Sequence, residues 1–281
     1  MTTPADRYVE TNGLTLHHRD WGGEGRAVVL LHGLASNARI WDLTAPLLPQ
    51  HARVLAFDQR GHGLSDKPES GYGFDDITAD IAGAIDALGL EAPVVIGHSW
   101  GGNVAPMLAV RYPDRVGAIG MVDGGVFELS KDMTWERAEE VMAPPRLAGT
   151  PRAKFLQMIR GHEVSRMWTP EIEAAIMGNF EIREDDTIAP WLTFERHMMI
   201  LRAIYGYHPQ EVLPHVQCPA LIMPCIGDPA SEAAQRKREA VARVESLLPH
   251  GRTHWFENAI HDVPLQKPAE VAAAIQSLLD D

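Results

Sequence analysis

The stretch from Val94 to Gly102 constrains the fold of this chain more than any other. Three β-branched residues begin it and predict a strand that is buried on both faces. Ser99 follows, with a glycine two residues before it and another two residues after it, and residues 103–111 are apolar at helical spacing. A strand, a tight turn and a helix around Gly-x-Ser-x-Gly are typical of an elbow that exposes a nucleophilic serine. The alternative is a glycine-rich turn that binds nothing, or a phosphate.

Length and charge exclude several classes of protein. The 281 residues allow one large α/β domain with an inserted subdomain. A net charge of −13 argues against nucleic acid or an anionic membrane as a partner. The first ten residues are polar, unlike a signal peptide, and no run of about 18 apolar residues is present. We therefore expect no membrane and no nucleic acid partner.

The chain contains two cysteines, Cys218 and Cys225. They lie seven residues apart near one predicted strand, so their side chains should point to opposite faces. A disulfide between them is therefore not expected. We expect a cytoplasmic location, where thiols stay reduced.

Strands and helices alternate along most of the chain. The first two strands form a hairpin at Asn12-Gly13, which is a strong turn signal. The predicted strands cover residues 8–11, 14–19, 27–31, 53–57, 94–96, 116–122, 220–226 and 253–256, and the predicted helices cover 74–88, 103–111, 231–248 and 268–279. This alternation predicts an α/β fold with a mostly parallel sheet flanked by helices.

The alternation stops between residues 126 and 208. Helical fragments broken by prolines replace it, so the sequence predicts a helical cap over 126–208, inserted into a core made of 1–125 and 209–281. Taken one by one, the methionines and tryptophans of this segment are explained by simple packing of small helices. As a group, flexible thioethers and aromatic rings suit an adaptable apolar pocket, so we expect the cap to line one. The candidate residues are Met133, Met142, Met158, Met167, Met177, Met198, Met199, Trp135, Trp168 and Trp191.

Three motifs and a late histidine resemble the α/β-hydrolase superfamily over essentially the whole chain. They are His32-Gly33, Asp58-x-Arg60-Gly61-His62-Gly63-x-Ser65-Asp66, Gly97-His98-Ser99-Trp100-Gly101-Gly102, and His261. The resemblance implies an eight-stranded, mostly parallel sheet with a cap between the sixth and seventh strands.

The same resemblance suggests the catalytic groups. Ser99 is the expected nucleophile, and His261, on the loop after the last strand, is the expected base. The backbone N–H groups of Leu34 and Trp100 are the expected oxyanion hole. His98 neighbours Ser99, but adjacent side chains on such a turn diverge, so no catalytic role is expected for it.

The acid of the triad is the hardest residue to predict. The family usually carries it after the seventh strand in a Gly-x-x-Asp pattern, but Ala230 occupies that position here and Asp228 stands two residues early. A second family position, at the end of the sixth strand, holds Asp123, and the two glycines after it leave room for a histidine ring. Asp262 is too close in sequence to reach the far nitrogen of its neighbour. We predict Asp123, with Asp228 as the alternative.

A serine nucleophile indicates acyl transfer through a Ser-His-Asp triad. Family members that open alkyl halides or epoxides carry aspartate at this position. We expect hydrolysis of a small to medium apolar carboxylic ester. A C–C bond hydrolase of the diketone type, an amidase or aminopeptidase, a lactonase and a perhydrolase remain alternatives on the same scaffold. A ligand receptor without activity is a distant one. No metal site and no cofactor are expected, and the sequence predicts no oligomeric state.

Overall fold

A computed structural model describes residues 3–160 and 167–280 of the chain. The strands, in chain order, are β1 (Ala5–Thr11), β2 (Leu14–Asp20), β3 (Ala27–Leu31), β4 (Arg53–Phe57), β5 (Val94–His98), β6 (Ala118–Val122), β7 (Thr150–Pro151), β8 (Phe180–Ile182), β9 (Thr187–Pro190), β10 (Ala220–Met223), β11 (Cys225–Ile226), β12 (Gly251–Thr253) and β13 (Phe256–Glu257).

The helices complete the described secondary structure, apart from short 3₁₀ turns. They are α1 (Phe74–Ala87), α2 (Gly101–Arg111), α3 (Leu129–Asp132), α4 (Trp135–Met142), α5 (Arg152–Ile159), α6 (Pro170–Met177), α7 (Phe194–Tyr205), α8 (Pro209–Val212), α9 (Glu232–Glu245), α10 (Val263–Gln266) and α11 (Pro268–Leu279). Within the two described ranges, no helix is long and apolar enough to cross a membrane.

Eight strands form one sheet in the order β1-β2-β4-β3-β5-β6-β10-β12. β1 and β2 pair antiparallel, as do β2 and β4, and the remaining neighbours are parallel. Every residue of β3, β5 and β6 is buried because helices cover both faces of the sheet. Ile81 of α1 and Val104 of α2 pack on one face, and Ile275 of α11 packs on the other. The predicted α/β class with a mostly parallel eight-stranded sheet is confirmed.

Two predicted strand boundaries are wrong. The strand expected over residues 220–226 is divided at Pro224 into β10, which belongs to the main sheet, and β11, which pairs with β13. Proline has no N–H with which to continue a ladder. The last strand of the main sheet is Gly251–Thr253 rather than 253–256, and two residues separate it from β13.

The segment 126–208 was expected to be helical, but it is not purely so. It contains the helices α3 to α7 and also a three-stranded antiparallel sheet in the order β7-β9-β8. These strands are only two to four residues long, too short to show a periodic pattern in the sequence. Residues 161–166 of the segment lie outside the described part of the chain.

The side chain of Asn37 links the loop after β3 to the segment 126–208 by hydrogen bonds. Its buried side chain donates hydrogen bonds to the Ala175 carbonyl at the C-terminal half of α6 (2.8 Å) and to Oδ1 of Asn179 (2.5 Å). Because Asn37 follows the loop after β3, this loop and α6 are held together.

Candidate active site

The elbow has the strained geometry that its glycines suggested. Ser99 follows β5 with a φ of 53°, in the left-handed region that a non-glycine residue seldom adopts. A Cβ at position 97 would overlap the Gly101 carbonyl group, and one at position 101 would lie 2.7 Å from the Leu31 carbonyl oxygen. Glycine at both positions therefore lets α2 begin two residues after the serine.

The structure brings Asp123 to His261. His261 stands on the loop between β13 and α10, and its Nδ1–H donates a 2.7 Å hydrogen bond to Oδ2 of Asp123. Asp123 directly follows β6 with a φ of 45°, so the chain turns there and the carboxylate faces the histidine loop. The Asp123 side chain is buried, whereas that of His261 is 54% exposed.

Asp228, the alternative acid, is engaged elsewhere. Its Oδ1 accepts the Ala230 N–H at 2.9 Å, and its backbone carbonyl accepts the N–H and the hydroxyl of Ser231 just before α9. Asp228 thus closes its own turn, and no hydrogen bond or ion pair to His261 is found for it within the described ranges.

Ser99 and His261 line the same small cavity, which we call the serine cavity. It has a volume of about 190 Å³, and its walls include Gly33, Leu34 and Asp262. Among residues 3–160 and 167–280, Ser99 Oγ makes no hydrogen bond. Catalytic hydrogen bonds are often long in a site without substrate and tighten when substrate binds.

The charges around the histidine favour a basic imidazole. Burial lowers the pKa of His261, but the hydrogen bond and the negative charge of Asp123 outweigh it and raise the pKa above its ordinary value of 6.5. Burial of Asp123 is in turn outweighed by the His261 hydrogen bond and the Lys237 cation, which lower its pKa to about 2. Asp123 is therefore a carboxylate at neutral pH.

Two backbone N–H groups near Ser99 are free to bind an oxyanion. Leu34 lies in the wall of the serine cavity, and Trp100 immediately follows Ser99. In the described part of the chain, neither N–H donates a hydrogen bond. Unpaired amides beside a serine hydroxyl are able to bind an oxyanion.

His98 holds the histidine loop in place, a contact that the sequence did not suggest. Its Nε2–H donates a 2.9 Å hydrogen bond to the backbone carbonyl of His261, and the two rings lie 4.8 Å apart. Burial and the neighbouring His261 lower the pKa of His98 to about 4, so its ring is neutral. From the sequence, His98 was compared only with Ser99, its neighbour along the chain. The contact with His261 joins residues 163 positions apart, and local sequence gives no sign of it.

A larger cavity of about 500 Å³ adjoins the serine cavity, and we call it the cap cavity. The two cavities share Ala35, Ser36, Ile176 and Asn179 in their walls. Aromatic rings line much of the cap cavity, and two cationic side chains also reach it. These residues are Phe155, Phe180, Trp191, Phe194, Arg146 and Arg183.

The sequence predicted that residues 126–208 line a pocket, but not which of their side chains do so. Of the three candidate tryptophans only Trp191 lines it, and none of the candidate methionines does among the described residues. The enrichment of methionine in residues 126–208 shows the composition of the segment but not the direction of each side chain. Arg146 and Arg183 were missed because the sequence does not distinguish them from surface arginines.

The described residues contain no group of three or more histidine, cysteine, aspartate or glutamate side chains placed to hold a metal ion. The absence of a metal and of a cofactor stays a prediction. Cys218 and Cys225 are both free thiols.

Comparison with known proteins identifies the family of this chain. A family model described as alpha/beta hydrolase fold matches residues 26–169, just over half of the chain. N-formylmaleamate deformylase of Pseudomonas putida is 27% identical over 277 residues, which cover 97% of this chain and 95% of that protein. 2-(Acetamidomethylene)succinate hydrolase of Mesorhizobium japonicum is 38% identical, but the match spans only 42% of each protein. A crystal structure of E-2-(acetamidomethylene)succinate hydrolase superposes with a TM-score of 0.81 at 24% identity, covering 99% of this chain and all of the other.

Proposed function

Because this chain belongs to the α/β-hydrolase fold family, we propose that it is a serine hydrolase that cleaves an acyl bond through Ser99, His261 and Asp123. One observation carries this proposal: the 2.7 Å hydrogen bond from His261 to Asp123, beside a strained serine that lines the same cavity as the histidine. A buried carboxylate that orients an imidazole next to a hydroxyl group is the arrangement that activates a serine.

The reaction proceeds in two halves. His261 Nε2 takes the proton from Ser99 Oγ as the oxygen attacks the acyl carbon, and the resulting oxyanion binds the N–H groups of Leu34 and Trp100. The tetrahedral intermediate collapses, His261 protonates the leaving group, and an acyl-enzyme remains on Ser99. In the second half, His261 takes a proton from a water molecule as the water oxygen attacks the acyl carbon. His261 then returns the proton to Ser99 Oγ, and the carboxylic acid is released. Asp123 holds the Nδ1–H of His261 and stabilises the imidazolium in both halves.

Covalent labelling tests the nucleophile. A fluorophosphonate should modify Ser99 stoichiometrically, because the probe forms a stable ester with an activated serine. Peptide mapping by mass spectrometry locates the label, and His261→Gln is the control that removes activation and leaves the serine in place. Labelling at another serine, or equal labelling rates in the two proteins, would contradict the proposal.

A carboxylic ester is the bond we propose first, since an ester asks least of the site and the cap cavity offers apolar and aromatic walls for an acyl or alcohol group. In this proposal residues 126–208 act as a cap that selects the substrate, and the core supplies the chemistry. A panel of p-nitrophenyl esters of increasing acyl length, with a lactone and a vinylogous diketone beside them, separates the ester from the C–C and lactone alternatives.

The second candidate is an amide of a small substrate that carries a carboxylate. Arg146 and Arg183 favour it, because these two exposed arginines in the wall of the cap cavity outnumber the one carboxylate there, Glu195, and suit an anion. The relative matched over almost its full length is a deformylase of N-formylmaleamate, and another is named for 2-(acetamidomethylene)succinate.

Arginine variants distinguish the two candidates. Arg146→Met and Arg183→Met should each lower kcat/KM for N-formylmaleamate by roughly 10- to 100-fold, the value of a charge-assisted hydrogen bond, and leave hydrolysis of a neutral ester nearly unchanged. Arg137→Met is the matched control, since this cap arginine pairs with Glu140 at the surface and lies outside the lining of the cap cavity. Absence of N-formylmaleamate hydrolysis in the wild type, or equal losses on both substrates, contradicts the amide candidate.

A further inference from the structure

Lys237 lies behind the proposed catalytic pair. It projects from α9, its side chain is only 19% exposed, and its Nζ donates a 2.5 Å hydrogen bond to Oδ1 of Asp123. Its ammonium group also lies 5.5 Å from the ring centre of Phe127. A serine, a histidine and a carboxylate already form a working triad, so this cation needs a separate explanation.

The Asp123 carboxylate is held on both of its oxygens. Oδ2 accepts from His261, and Oδ1 accepts from Lys237 and from the Cys225 N–H at 3.0 Å. Rotation of the carboxylate would break contacts on both sides at once. Lys237 therefore helps to fix the plane in which Asp123 meets the imidazole.

We propose that Lys237 is a positioning residue, which orients Asp123 and opposes its negative charge beside His261. The proposal rests on the proposed function, because it concerns the base of that same site.

The groups that face His261 leave Lys237 a distinct role. Asp123 and Asp262 are negative and raise the pKa of His261, whereas the charge of Lys237 lowers it. The ring of His98 is neutral because burial lowers its pKa to about 4. The Cys225 thiol lies beside Asp123 and is also neutral, because burial raises its pKa. The positive charge of Lys267 lowers the pKa of this thiol, but by less than burial raises it. Without Lys237, burial alone opposes the effect of the two carboxylates on the pKa of the imidazole.

Replacement of Lys237 should therefore move the acidic limb of the kcat/KM profile to higher pH. In Lys237→Met the ratio of activity at pH 6 to activity at pH 8.5 should fall at least about threefold relative to wild type, because loss of a nearby cation stabilises the imidazolium. Lys237→Arg keeps the charge and should restore the limb. Arg236→Met is the matched control: it removes a cation from the same helix, but that arginine pairs with Glu232 in solvent.

The titration of His261 can also be followed by NMR, which needs no turnover. The Cε1–H resonance, assigned by its absence in His261→Gln, should titrate at higher pH in Lys237→Met than in wild type or Arg236→Met. Thermal unfolding verifies that each variant is folded, and Lys237→Gln, which removes the charge but keeps donors, replaces the methionine variant if that one does not fold. The proposal is overturned if, in Lys237→Met, the acidic limb and the His261 resonance move no further than they do in Arg236→Met. Lys237 would then have a purely structural role. Failure of serine labelling would overturn the proposed function instead, while the NMR result would still stand.

Discussion

Ser99→Ala should lose roughly 10⁴- to 10⁶-fold in turnover, the largest effect we expect of any single substitution, because the members of a triad act as a unit. The fold should persist. Within the described residues Ser99 Oγ makes no hydrogen bond, so its removal leaves no buried partner unsatisfied, and the free energy of unfolding should change by less than about 0.5 kcal/mol.

Steady-state kinetics on a p-nitrophenyl ester, together with thermal unfolding, measure both effects. Ser36→Ala is the matched control, because Ser36 is another hydroxyl in the wall of the serine cavity. It should stay within about tenfold of wild type, since it loses at most an interaction with the substrate. Residual activity of Ser99→Ala above a tenth of wild type would rule out this serine as the nucleophile.

The second large effect distinguishes the two candidate acids. Asp123→Asn should lower kcat by up to about 10⁴-fold, because an amide at this position favours the wrong tautomer of His261 and cannot stabilise its cation. Asp228→Asn should stay near wild type, since that carboxylate closes a turn, which asparagine also does well.

The comparison needs kcat for both variants at one pH on the plateau, with circular dichroism to verify the fold. The Asp123 variant also loses the partner of Lys237, so its thermal stability is compared with that of Asp228→Asn. A crippled Asp228→Asn beside an active Asp123→Asn would reverse the assignment.

Much of the fold could be predicted because its signals are local. The strands β3, β4 and β5 are where the sequence placed them, because each is a short run of mostly apolar residues. The helix α11 is also where it was predicted, because it has apolar residues at helical spacing and a proline at its start. The strands β7, β8 and β9 of the segment 126–208 carry too few positions for a period, and they were missed.

The candidate site also has a part that could be predicted and a part that could not. The Ser99 elbow could be predicted because its residues are contiguous, and its two glycines make room for the strained φ of the serine. Lys237 reaches Asp123 across 114 positions, and α9 otherwise reads as a polar surface helix. Only the position of α9 in the folded chain, where it contacts β12, reveals that one of its many charged residues points inward. Long-range pairs of this kind leave no mark on local periodicity.

The hydrogen bonds of Asn37 have a mechanical consequence. The loop that carries the Leu34 N–H and the helix α6, whose end lines both cavities, are joined by a buried amide that donates to Ala175 and Asn179. Separating them would leave that amide without acceptors, at a cost of about 1–3 kcal/mol. We expect a ligand that displaces α6 to displace this loop as well, and with it the proposed oxyanion donor.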